Sequence, residues 1–251
     1  MFDKMLSKIG IGAAKVDTVL HQVEVMRGDL LTGEIHLRGG KTETKINKLY
    51  LELQSNYIIE HDEGSHTQTI TLHRLDIEDN IVLAPNEEAI FDFELQVPLE
   101  SPISFGHTHS WLKTGLDVSF AFDPKDTDAV VILPDPGSQM VLAAAEDLGF
   151  HHSHHSGRCL AMHTPYGVPF VQEFELKGSG QLGRVIEELD IVLVANEDLV
   201  QVQLELDRRN HGFGGWFADS MDLDETRLRF RVHHDAEFGP HELEGILQQA
   251  L

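Results

Sequence analysis

One segment restricts what this chain can fold into more than any other. Between Ala89 and Phe105 it reads AIFDFELQVPLESPISF. In Phe91-Asp92-Phe93-Glu94-Leu95-Gln96-Val97 every second side chain is apolar, the period of a strand with one buried face and one in water. The alternation ends at Pro98, and Pro102 follows; proline cannot donate to a β-ladder, so the strand stops there. Upstream, Arg27-Gly28-Asp29 reads as a turn feeding a strand through Leu37, and Ile46 to Tyr57 gives another with Leu49, Leu51 and Leu53 inward.

The remainder supports an all-β chain in two parts. Thr67 to Leu75, Leu116 to Phe122 and Val130 to Leu133 are further strand candidates. Pro134-Asp135-Pro136-Gly137 cannot continue a central strand, which places a boundary there and predicts domains 1–134 and 135–251. Beyond it, Ser138 is the expected cap of a helix over Gln139 to Leu148, closed by Gly149 at C′. Strands then resume at Phe170 to Leu176, Val185 to Val194, Val200 to Leu206 and Thr226 to His233, with glycines 178, 180 and 183 marking a hairpin loop. Pro240 suits N1 of a closing helix whose apolar stripe is Leu243, Ile246, Leu247 and Ala250. Phe2, Met5, Leu6 and Ile9 fall on one face of a short amino-terminal helix.

Several of these segments resemble a known family. The turn at Arg27 to Asp29, the strand Gly33-Glu34-Ile35-His36-Leu37 and the Phe91, Phe93, Pro98, Pro102, Ser104 pattern are similar to the amino-terminal domain of arrestin-like proteins, although the proline usual in that turn is absent. The opening Ser7-Lys8-Ile9-Gly10-Ile11-Gly12-Ala13-Ala14-Lys15-Val16-Asp17-Thr18 resembles the bacterial sporulation-control proteins of the stage-zero M type, and Val141 to Phe150, Val171 to Leu176 and Leu204 to Arg209 resemble that family's second half. The resemblance implies two arrestin-like β-sandwich domains, 1–134 and 135–251, with short helices at the amino terminus, at the start of the second domain and at the carboxyl terminus. It implies a regulatory or scaffolding role and supplies no catalytic residues.

Charge narrows the partners. With 19 Lys and Arg against 42 Asp and Glu, the formal net charge is -23, divided almost evenly between the two halves. A uniformly acidic surface is repelled by phosphate backbones, so nucleic acid is excluded as a partner. No apolar run reaches the ~18 residues of a membrane span, so integral membrane association is not expected. Lys15 and Asp17 interrupt the short apolar start, which argues against a signal peptide and for a cytoplasmic protein. The one cysteine, Cys159, fits a reducing compartment and has no Cys-His signature around it.

Histidine is the chemical temptation. There are 16, and His151, His152, His154 and His155 fall within five residues. Imidazoles in a flexible loop can bind zinc, nickel or copper, but the spacing identifies no closed ligand set, so these four are weak metal candidates. His107-Thr108-His109 and His233-His234 are weaker. Asp123 to Asp128 lacks the glycine and terminal glutamate of a calcium loop and reads as a turn. The loop from Arg208 to Phe217 carries Arg208, Arg209, Phe213, Trp216 and Phe217, residue types that dominate binding hot spots, and is the candidate partner site. In Thr226 to His233 the side chains of Arg227, Arg229 and Arg231 share one strand face, suited to an acidic peptide or phosphate unless neighbouring acids neutralise them.

No catalytic motif is present, so the expectation is a non-enzymatic regulator or scaffold without cofactor, acting through protein partners. The alternative is a His-rich metal sensor or buffer. Monomer and homo-oligomer both remain open.

Overall fold

The computed structural model describes residues 13–61, 64–118, 123–165, 167–208 and 226–251. Strands β1 (Lys15–Leu20), β2 (Glu24–Met26), β3 (Leu30–Arg38), β4 (Thr44–His61), β5 (Gly64–Leu83), β6 (Glu88–Gln96), β7 (Ser110–Val118) and β8 (Lys125–Leu133) precede helix α1 (Pro136–Asp147). Then follow β9 (Phe150–His152), β10 (Arg158–Ala161), β11 (Phe170–Gly178), a 3₁₀ turn at Leu182–Arg184, β12 (Ile186–Ala195), β13 (Leu199–Arg208), β14 (Thr226–His233) and α2 (Pro240–Gln248). The predicted amino-terminal helix lies outside the described residues. Among them, no helix is long and apolar enough to cross a membrane.

The chain divides into two compact units. One comprises Met1–Ser55, Thr69–Pro98 and His109–Ile132, the other Asn56–Gln68, Leu99–Thr108 and Leu133–Leu251. The end of β4, the start of β5 and the segment Leu99–Thr108 therefore belong to the second unit.

In the first unit β1, β3 and β6 form an antiparallel sheet, with Phe91 opposite Ile35, Phe93 opposite Gly33 and Leu95 opposite Leu31. Leu31, Ile35, Leu37, Phe93 and Leu95 are buried against Leu49, Leu51, Leu53, Leu112 and Leu116 of the facing strands β4 and β7. Each such side chain contributes roughly 1.5–3 kcal/mol of burial, which is why strict alternation in the sequence becomes a two-layer sandwich. The spatial link between the two most telling motifs is a pair of backbone bonds: Gly28 N donates to Val97 O at 2.9 Å, and Val97 N donates to Asp29 O at 2.9 Å. Gly28 has φ 94°, so it supplies the left-handed turn that brings Arg27 to Asp29 against the end of β6. At Gly33 a Cβ would sit 2.5 Å from Val19 O and 2.9 Å from the Phe93 ring, so the strand spacing requires glycine there.

The second unit is built on the order β14-β13-β12-β11-β10, with β9 also on β11 and Leu160 of β10 opposite Ile58 at the end of β4. Phe174, Leu176, Leu189, Ile191, Val200, Val202, Leu204 and Leu206 turn inward and pack with Val141, Ala144 and Ala145 of α1 and Leu243 and Leu247 of α2. Helix α1 begins earlier than expected. Its cap is Asp135, not Ser138: Asp135 Oδ1 accepts from Ser138 N at 2.9 Å and Oδ2 from Ser138 Oγ at 2.7 Å. Pro136 starts the helix instead of blocking it, because the first turn needs no N–H from that position. Gly149, with φ 88°, closes it as expected. Several strands are longer than their apolar cores suggested, β5 and β8 most of all, because backbone pairing continues where the side chains turn polar.

Candidate functional site

The histidine tract is not a free loop. Its first two histidines belong to β9, where His152 pairs with Leu176 and His151 with Lys177 of β11. The His152 ring lies 4.3 Å from the Phe105 ring centre and 6.0 Å from that of Phe174. Its Nδ1 is 2.7 Å from Ser156 Oγ and its Nε2 is 3.2 Å from Glu146 Oε1. Both nitrogens are thus engaged, and burial pulls the pKa of His152 below the ordinary value despite the opposing pull of Glu146. His151 Nε2 sits 3.2 Å from Ser179 Oγ. His154 meets His107 edge-on at 5.0 Å and His155 at 5.5 Å. His151 and His152 thus serve contacts apart from the His154–His155 pair, and among the described residues no cluster of three or more metal-ligating side chains includes any of the four.

The other histidine candidates follow the same pattern. His234 ties the start of α1 to the β12–β13 turn: Gly137 N donates to its Nδ1 at 3.2 Å, and its Nε2 lies 2.8 Å from Asn196 O. Between His107 and His109, Thr108 is buried and donates to Gly157 O at 2.7 Å. Asp126 accepts from Thr18 N at 2.7 Å and lies within β8, so the acidic run is a paired strand for most of its length, not a turn.

Cys159 is fully enclosed, and burial pushes its thiol up to about 12, with Thr108 Oγ1 3.6 Å from Sγ. A thiol so far from ionisation is a poor nucleophile. Native protein at pH 8 is expected to resist iodoacetamide at Cys159 and to be alkylated only in denaturant, as mass spectrometry of the cysteine peptide would read. Labelling of the native protein at the rate of a free thiol would contradict this burial.

Electrostatic tension is concentrated on the polar face of the second sheet. There Glu173, Glu175 and Lys177 of β11 stand beside Glu188 and Asp190 of β12, and Asp190 faces Glu205 of β13. Burial, reinforced by Glu173 and Glu188, pushes Asp190 up to about 8. Burial and Glu175 push Glu173 up to about 7. Asp190 Oδ1 is buried without a hydrogen-bond partner. Glu175, Glu188 and Asp190 each bring one oxygen within 4.8 Å of the others. The cation already there is Lys177, whose ammonium contacts Glu188 and lies 3.4 Å from Glu175 Oε1. Two of these carboxyls hold or share protons near neutral pH, so the formal charge overstates the negative charge of this face. None of these acids stands out in the sequence, because nothing local there records their depth.

At the border of this face stands the arginine stripe of β14. Arg227 faces Glu205 and pairs with it, Nε to Oε2 at 3.3 Å. Arg229 and Arg231 face Gln203 and Gln201, and both are exposed. Only the first of the three arginines has an acid as its cross-strand neighbour. Arg209, Phe213, Trp216 and Phe217 lie outside the described residues, as does the side chain of Arg208, whose backbone ends β13. An open groove of about 660 Å³ is lined by Tyr57, Ile59, Met162, His163 and neighbouring residues. No carboxylate stands among its described lining residues, so no carboxylate and histidine pair converges there.

A family model described as SpoOM protein (Spo0M) matches residues 2–210. The chain belongs to the Spo0M family. It is 32% identical over 254 residues to the sporulation-control protein Spo0M of Bacillus subtilis strain 168, covering 100% of this chain and 97% of that protein. The crystal structure of Spo0M from Bacillus subtilis superimposes with a TM-score of 0.83 at 32% identity, covering 96% of this chain and 100% of the other. The Spo0M fold is arrestin-like and mostly β, as is this one. The family match ends at residue 210, so β14 and its arginines lie beyond it, whereas the alignment with the Bacillus subtilis protein spans the entire chain.

Proposed function

We propose that this Spo0M-family chain is a non-enzymatic cytoplasmic regulator or scaffold that acts by binding other proteins, in the control of sporulation or a related developmental or cell-division programme. The observation that carries the reading is the full-length similarity to a sporulation-control protein. Two features of the structure support it: His151, His152, His234 and Cys159 are tied into structural contacts, and the described strand faces present exposed charge to a partner. Fold alone would not license the step, since one fold serves many functions.

The reading is tested by expressing the chain in Bacillus subtilis lacking its own Spo0M, and by crosslinked isolation of the untagged protein from its native cells with chelator present. Altered sporulation efficiency relative to an empty vector, together with one reproducible partner set in chelator, is expected. Unchanged sporulation and a partner set that disappears with chelator would reject it in favour of a metal-dependent role.

A further inference from the structure

We infer that the outer edge of β14 docks an extended acidic segment of a partner protein, which adds to the sheet as a further strand and places its carboxylates over Arg229 and Arg231. The inference deepens the protein-binding reading and rests on it.

Three observations meet at this edge. First, β14 is the terminal strand of its sheet; among the described residues it pairs with β13 alone. An edge strand offers a row of backbone donors and acceptors to an incoming strand. Secondly, among the described residues Arg229 and Arg231 have no acid as cross-strand neighbour. Their cross-strand neighbours are Gln203 and Gln201, whereas Glu205 is used by Arg227. In a chain with 42 acids and 19 Lys and Arg, two adjacent exposed arginines opposite neutral glutamines are a local reversal of the general charge. At physiological salt the Debye length is about 8 Å, so a carboxylate at the outer edge feels these arginines more than the acids of β12 and β11, two and three strands inward, and Glu205 on the neighbouring strand is already paired with Arg227. Thirdly, the other face of the strand carries Leu228 and Phe230, both only half-buried, with Phe230 stacked on Phe238 at 5.6 Å.

Geometry then fixes the pattern of the ligand. Residues i and i+2 of a strand are roughly 7 Å apart and share a face. A strand laid beside β14 in register therefore sets acids at alternate positions against Arg229 and Arg231, where guanidinium and carboxylate form paired hydrogen bonds. Its intervening apolar residues cover Leu228 and Phe230. The segment recognised is one that alternates acidic and β-branched or aliphatic residues.

The test uses purified full-length protein and a fluorescein-labelled peptide of sequence Gly-Glu-Val-Glu-Val-Asp-Val-Gly, read by anisotropy. Binding is expected to weaken at least tenfold in the double variant Arg229→Glu, Arg231→Glu and to fall as salt rises from about 50 to 300 mM. A control, Arg38→Glu with Lys45→Glu in the first unit, makes the same change in net charge and is expected to bind as the parent does. Amide chemical shifts of 226–233 should move on titration. Equal binding by the arginine variant, or by a scrambled peptide of the same composition, would overturn the proposal. So would a protein dimer that dissociates in the arginine variant while the peptide fails to bind, which would make a second copy the occupant. Peptide failure alongside a reproducible partner set in cells would reject this edge and leave the protein-binding reading standing.

Discussion

Truncation of Phe174 to alanine is expected to destabilise the second unit by about 3–5 kcal/mol, the range for a buried phenylalanine whose surroundings relax only in part. Phe174 is 1% exposed, with ring centres 5.8 Å from Phe105 and 6.0 Å from His152, so its loss opens a void between the sheet and the histidine strand. Domains of this size hold roughly 5–15 kcal/mol in all, and urea titration followed by circular dichroism would register the change. A second readout locates the damage. Burial holds the pKa of His152 below the ordinary histidine value; water entering the void should move it upward in an NMR titration. Phe174→Leu keeps most of the volume and should cost far less. A variant as stable as the parent, with His152 unmoved, would show that Phe174 does not hold this part of the core together.

How much of this was legible beforehand differs by element. Leu49, Leu51, Leu53, Phe93 and Leu95 announced themselves, because each pays its burial through a period of two that survives in the sequence. The strand face of Arg227, Arg229 and Arg231 was equally plain, and the glutamine neighbours that separate Arg229 and Arg231 from Arg227 were not: register across β13 and β14 is a tertiary fact. The tract at His151 looked like a loop because histidine has weak strand preference and no alternation to show. Its strand character comes from pairing with β11, about 25 residues away. Asp135 was overlooked as a cap because the prolines around it signalled a break, although Pro136 occupies the one helical position that suits proline. Burial of Glu173 and Asp190 was invisible for a physical reason. In a sequence, an acid on the polar side of a strand reads as exposed, and nothing local records that neighbouring side chains shield it.

Asp190→Asn is expected to stabilise the protein, and to do so in a pH window that its environment dictates. A carboxyl that titrates near 3.8 when unfolded and near 8 when folded binds its proton more tightly in the folded state. Its favourable contribution is complete below pH 4 and is lost progressively as pH rises through 8. Asparagine has no proton to lose, so the two proteins should converge toward acid pH and separate steadily from pH 5 to pH 8, the variant gaining of order 3 kcal/mol at the upper end. Burial and Glu175, rather than Asp190, lead the causes that raise Glu173 to about 7, so its titration should persist in the variant. Asp128 of the first unit, raised to about 7 mainly by burial and then by Asp126, supplies an internal reference that the substitution leaves alone. Urea denaturation at pH 5, 6, 7 and 8 measures the effect, with probes in each unit to separate the transitions. Stability curves that run parallel for parent and variant would mean that Asp190 is ionised throughout this range, and that solvent or a counter-charge reaches it on the sheet face.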